Sequence, residues 1–261
     1  QSRVKQGHHG RIANTPARLS GYGEKWEGDT CFLWAEGIVT QATLFGEVLS
    51  LHRRLEVELG SNVVRISDTI TNEGFARTPH MLLYHVNLGF PLIDAGAQYI
   101  APIKSVIYAS HAQGGLDAQG VGYSTCPEPI ADFTEQVWQH DMAQDARGAV
   151  PVVVANRAQG VGLMMETQAT QLPCAYQWQN FRSGHYVMGV EAATHHVKGN
   201  NFARDRGEMI WLNSGESRSY SIQFTVLDGD EQISSAENRV RAIAHQPNVD
   251  YPEPTHEFPA L

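Results

Sequence analysis

The chain has 261 residues, a formal charge of −9 and only 18% charged side chains. That length can bury a substantial core, and all-β chains of this size commonly fold as one unit. No basic block is longer than Arg53-Arg54 and no apolar run reaches the length of a membrane span, which argues against nucleic acid and membranes as partners.

The first distinctive segment is Gly7-His8-His9-Gly10-Arg11-Ile12-Ala13-Asn14-Thr15-Pro16-Ala17. Glycine lets a backbone approach a ligand closely, and His, Arg and Asn supply directional hydrogen bonds. The plainer reading is a surface turn that happens to hold histidines. Further on, Leu55 to Leu59 alternates three apolar residues with two acids, and Val63 to Ile70 follows the turn Gly60-Ser61-Asn62, which predicts a hairpin. Met81 to Phe90 reads as a strand. Residues 93 to 136 are irregular and Gly-rich, a stretch expected to wrap over a sheet and carry function. Val150 to Ala155 and Val161 to Glu166 flank Asn156-Arg157-Ala158-Gln159-Gly160 and predict a second hairpin. Tyr186 to Ala192, Glu208 to Leu212 and Ser219 to Leu227 complete the strands, the last two joined by the turn Asn213-Ser214-Gly215-Glu216-Ser217.

A single helix is predicted, capped by Asp230 and packing Ile233, Ala236, Val240 and Ile243 on one face. The tail 245–261 holds Pro247, Pro252, Pro254 and Pro259 and reads as an extended arm. No repeat or linker is visible. The expected fold is all-β: one domain, 1–261, a sandwich of large antiparallel sheets with one short helix near the C-terminus. Cys31, Cys126 and Cys174 are widely spaced with no CxxC pair, which predicts free thiols in a reducing compartment and a soluble, cytoplasmic protein.

Two of these strands each carry one ionisable residue on an otherwise lipophilic stretch. Side chains alternate faces along a strand. In the first, His85 shares a face with Asn87 and Gly89, while Leu82, Tyr84, Val86, Leu88 and Phe90 take the other. In the second, Glu191 shares a face with Gly189, opposite Tyr186, Met188, Val190 and Ala192. A sheet presents an acid and a base to a ligand in this way. A satisfied polar residue at a strand end is the plainer reading of either residue alone.

Together the segments resemble the aldose 1-epimerase (galactose mutarotase) superfamily, in its DUF4432-type branch. The residues that carry the resemblance are His9-Gly10-Arg11 with Asn14-Thr15-Pro16-Ala17, Tyr84-His85-Val86-Asn87-Leu88-Gly89-Phe90-Pro91, Gly189-Val190-Glu191-Ala192-Ala193-Thr194, and the closing turn Asn213-Ser214-Gly215-Glu216-Ser217-Arg218. The resemblance runs from about residue 8 to residue 227 and implies a galactose-mutarotase-like supersandwich that takes a sugar in its concave face. It implies Glu191 as general base, His85 as general acid, and His9 holding the sugar near its ring oxygen, with no cofactor. Arg11 and Asn87 are expected to contact hydroxyls, with Arg182, His185 and His8 as further candidates. Trp178 heads the candidates for an aromatic platform, before Phe181, Trp34 and Trp138. Glu191 is expected ionised and His85 protonated at neutral pH, facing each other across a gap as wide as a pyranose.

The sequence departs from the family pattern at three points. Ala192 stands where the family commonly has proline after the glutamate, the usual sugar-binding aspartate has no evident counterpart, and only seven residues precede His8. Further strands and a substrate-binding arginine, which the family carries ahead of this turn, are therefore expected to be absent or supplied by another chain, leaving room for association with a separate N-terminal segment or for a homo-oligomer. Two other readings stay open. A non-catalytic carbohydrate-binding protein needs no matched acid and base. A metal-dependent sugar epimerase or lyase would gather His8, His9, His85, His195, His196 and Glu191 around an ion, although adjacent histidines point apart on a strand.

Overall fold

A computed structural model describes residues 9–110, 120–245 and 253–261, and these form two compact units. In chain order the strands are β1 (Arg18–Glu27), β2 (Thr30–Ala42), β3 (Val48–Glu58), β4 (Val63–Asn72), β5 (Thr78–His80), β6 (Leu83–Leu88), β7 (Gln98–Ile100), β8 (Ile103–Ala109), β9 (Gln136–Met142), β10 (Ala149–Asn156), β11 (Val161–Gln168), β12 (Cys174–Asn180) and β13 (Val187–Ala193). Helix α1 (Gly199–Asp205), β14 (Ile210–Leu212), β15 (Ser217–Asp228) and helix α2 (Gly229–Ile243) follow. His8 lies outside the described residues. No helix among the described residues is long and apolar enough to cross a membrane.

The first unit holds residues up to His80 together with 209–223. Its strands β1 to β4 form an antiparallel meander, and the predicted hairpin over Gly60-Ser61-Asn62 joins β3 to β4. Glycine at 21 and 23 leaves room on β1 for the Trp34 ring, on which the Arg54 guanidinium lies 4.6 Å from the centroid. Asp68 is buried and accepts two hydrogen bonds from Arg53, at 2.8 and 2.6 Å, so its charge is paired rather than stranded. Strand β14 pairs with β5, a three-residue strand too short to show a period in the sequence.

The second unit, residues 81–208 and 224–261, carries the predicted hairpin β10–β11 and the helix α2. Strand β10 is buried along its whole length, and Val153, Ala155 and Met164 pack with Ile233, Ala236 and Val240 of α2. Two corrections concern helices. The helix begins at Gly229 with Asp228 at its N-cap, so Asp230 is not the cap; it lies in the first turn and pairs with Arg157. A second helix, α1, follows β13; its short polar segment offers no apolar stripe to read.

Strand β7 pairs with β10, and five further strands of this unit form an antiparallel sheet in the order β6-β13-β12-β9-β8. Three of its members were not expected: β8 lies in the stretch 93–136 that reads as irregular, and β9 and β12 have a largely polar buried face. Gln136, Gln177 and Gln179 are essentially inaccessible, and their amides donate to the carbonyls of Val121, Tyr123 and Gly122. Beyond residue 252 the tail lies on the same unit: Thr255 and His256 donate to the carbonyls of Val106 and Ile107.

Candidate active site

Strands β6 and β13 are separated by about a hundred residues in sequence, so their register is a tertiary outcome. Thr194 helps set it. Its amide donates to the Leu82 carbonyl at 2.9 Å, and its hydroxyl accepts from the Leu82 amide at 2.9 Å. From that point the ladder places Glu191 opposite His85 and Gly189 opposite Asn87. On the other side of β13, Tyr176 faces Glu191 and Trp178 faces Gly189. One face of the sheet therefore carries His85, Glu191, Asn87 and Trp178 together.

His85 Nε2 lies 3.1 Å from Glu191 Oε1. This corrects the expected spacing: the two groups are side by side, in hydrogen-bond contact, with no pyranose-wide gap between them. Glu191 is 7% exposed, and burial pushes its carboxyl up to about 7. The expectation of an ordinary ionised glutamate is corrected as well, because the apolar walls of β13 and its neighbours disfavour the charge. The imidazole keeps an accessible edge, its side chain 23% exposed.

Gly189 makes the convergence sterically feasible. A Cβ there would fall 3.0 Å from His85 Cε1, 3.1 Å from Glu191 Oε1 and 3.2 Å from Trp178 Cβ. The Trp178 ring stands edge-on to His85, centroids 5.6 Å apart, and its indole Nε1 donates to Glu135 Oε2 at 3.0 Å. Glu135 was absent from the sequence reading, and no local pattern marks it: it immediately precedes a strand that was itself unread.

The other candidates sit differently. Arg182 follows β12, is exposed, and lies 3.9 Å from Asp132. His9 and Arg11 belong to the first unit, where the Arg11 guanidinium is engaged by Glu47 and Thr43. Phe181 and Trp138 are fully buried, the former against Phe133 and Tyr186.

His195 and His196 are committed to the interior. His196 Nε2 donates to the Pro259 carbonyl at 2.9 Å, so Nδ1 accepts from the Gln139 amide at 2.6 Å. His195 Nε2 donates to the Glu208 carbonyl at 3.2 Å, and Nδ1 accepts from Thr194. Among the described residues no three His, Cys, Asp or Glu side chains gather as a metal-holding group.

Comparison with solved structures gives the same fold. A candidate aldose 1-epimerase from Klebsiella pneumoniae is 25% identical with a TM-score of 0.82, over 95% of this chain and 64% of that one. A galactose mutarotase-like protein from Clostridium acetobutylicum is 14% identical, TM-score 0.56, over 84% and 69%. A GalM/aldose epimerase homologue from C. elegans is 10% identical, TM-score 0.50, over 80% and 69%. The chain thus spans 64% of the length of the Klebsiella protein, and its fold is galactose-mutarotase-like, as expected. No curated protein matches it. The model of a domain of unknown function, DUF4432, matches residues 1–226, and the chain belongs to that family.

Proposed function

We propose that the face bearing His85 and Glu191 interconverts the α and β anomers of an aldose, as an aldose 1-epimerase-like isomerase. The observation that carries this reading is the 3.1 Å contact between an imidazole and a carboxyl whose proton affinity has been raised to about 7. Mutarotation needs one proton removed from the anomeric hydroxyl and one delivered to the ring oxygen. Both oxygens are bonded to C1. An acid and a base that serve them must therefore be neighbours, and adjacent strands supply that spacing.

The carboxylate of Glu191 takes the hydroxyl proton while the imidazolium of His85 protonates the ring oxygen. The C1–ring oxygen bond breaks, leaving an aldehyde. Rotation about C1–C2 exposes its other face, and the ring closes with the proton roles reversed. The imidazolium–carboxylate pair and its neutral counterpart differ only in where one shared proton sits. Positioned acid–base groups contribute roughly 10²–10⁴-fold each, which suits a reaction that already proceeds unaided. Asn87 and Trp178 flank the pair as hydroxyl contact and apolar platform. The resemblance in the site segments and the epimerase names of the structural neighbours support the same reading.

The test is saturation-exchange NMR between anomers, across a panel of free, acidic and phosphorylated aldoses. Faster exchange with the protein than in buffer, abolished in Glu191→Gln with sugar affinity retained, is the expected result. Exchange at the buffer rate for every sugar, or a wild-type rate in Glu191→Gln, would overturn the proposal.

A further inference from the structure

We infer that Glu135 is a positioning residue, which holds the Trp178 indole and through it the working orientation of His85. This inference rests on the reading of the His85–Glu191 pair given above. Four observations carry it. The Trp178 Nε1–H donates to Glu135 Oε2 at 3.0 Å. The indole stands edge-on to the imidazole, centroids 5.6 Å apart. The residue facing Trp178 on β13 is Gly189, so no side chain on that strand flanks the ring at this register position. Trp178 is half-buried, so contact with the rest of the sheet leaves part of the ring unrestrained.

A tryptophan fixed only through Cβ can turn about two side-chain bonds. Glu135 is exposed, and its carboxylate on the only donor of the indole biases the ring toward one orientation. The fixed indole then abuts the imidazole from the β12 side, two register positions along from Glu191, and helps hold Nε2 on the carboxyl. Glu135 touches none of the reacting atoms; it acts by restricting Trp178.

The indole N–H resonances of the five tryptophans provide a direct readout, with Trp178 assigned by its absence in W178F. In Glu135→Ala the Trp178 indole proton should move upfield while the other four stay in place, and the His85 ring resonances should shift with it. Anomer exchange should fall on the order of tenfold in kcat/KM, as expected for a displaced catalytic group. Glu135→Gln, which keeps an acceptor, should restore most of it. Adding E135A to W178F should cost nothing further, because the restraint is already gone.

An unmoved Trp178 resonance in E135A, or fully multiplicative losses in the double variant, would overturn the inference. If the wild-type chain shows no anomer exchange, the isomerase reading fails. The indole and imidazole shifts then still decide whether Glu135 fixes these rings.

Discussion

Glu191 and His85 are cross-strand partners: one register position of the β6–β13 ladder brings the carboxyl oxygen to 3.1 Å from the imidazole nitrogen. A buried carboxyl with a proton affinity near neutrality, touching a histidine, shares its proton with that histidine. The consequences can be measured separately.

The pH dependence of turnover is the first. The productive state holds one proton between the two groups. It is lost as pH rises through about 7, where Glu191 gives up its proton, and again at low pH when the pair takes a second. A bell-shaped kcat/KM profile with its alkaline limb near 7 is expected. In His85→Asn the rate should drop at least a hundredfold. Unchanged kinetics in that variant would remove the histidine from the mechanism.

Stability should respond to the same carboxyl. Its folded pKa lies above the ordinary 4.5, so the native state binds the extra proton. This contribution is fully present below about 4.5 and is lost as pH rises to about 7. Glu191→Gln mimics the protonated form. It should therefore match wild type at pH 4 and exceed it at pH 8, by up to about 3 kcal/mol. Urea titrations at the two pH values check the sign, and equal midpoints at pH 8 would refute it.

His140 gives the opposite dependence. It is fully buried, its ring stacked 5.8 Å from Tyr99 and edge-on to Tyr123, and burial pushes its pKa down from 6.5 to about 3. Unfolding lets it bind a proton, so stability is fully present above 6.5 and is lost as pH falls toward 3. By this account His140→Leu should flatten acid unfolding between those values, an effect of up to about 5 kcal/mol. Thermal melts from pH 7 down to pH 4 would show it.

Position 189 should be sensitive to any side chain. The Cβ of Gly189→Ala would press on His85, Glu191 and Trp178 at 3.0 to 3.2 Å. These neighbours would have to give by a few tenths of an ångström, short of the full ångström that costs on the order of a hundredfold, so turnover should fall roughly tenfold with the strand still paired. Near-wild-type activity in G189A would show that the three side chains need not converge there.

Much of this could be read in the sequence because apolar alternation was strong where it mattered. Val150 to Ala155 lies in a strand as expected, Leu55 to Glu58 does too with Leu59 just past its end, and the open face of β6 and β13 followed from one histidine, one glutamate and their glycine neighbours. Other elements were illegible for physical reasons. Strands β9 and β12 bury glutamines that clamp the carbonyls of residues 121–123, so their pattern inverts the usual rule. Strand β1 is largely exposed along its length and shows no buried face to read. The direct contact of the pair depended on a register between distant strands, which no local pattern encodes.

Thr194 gives that register a further meaning. A β-ladder has no half-steps: sliding β13 against β6 by one residue would turn Glu191 toward the opposite side of the sheet. The paired bonds between Thr194 and Leu82 therefore work as an index pin, without which His85 would lose its carboxyl neighbour. Weakening the pin should separate the pair outright in some molecules rather than stretch it slightly in all of them.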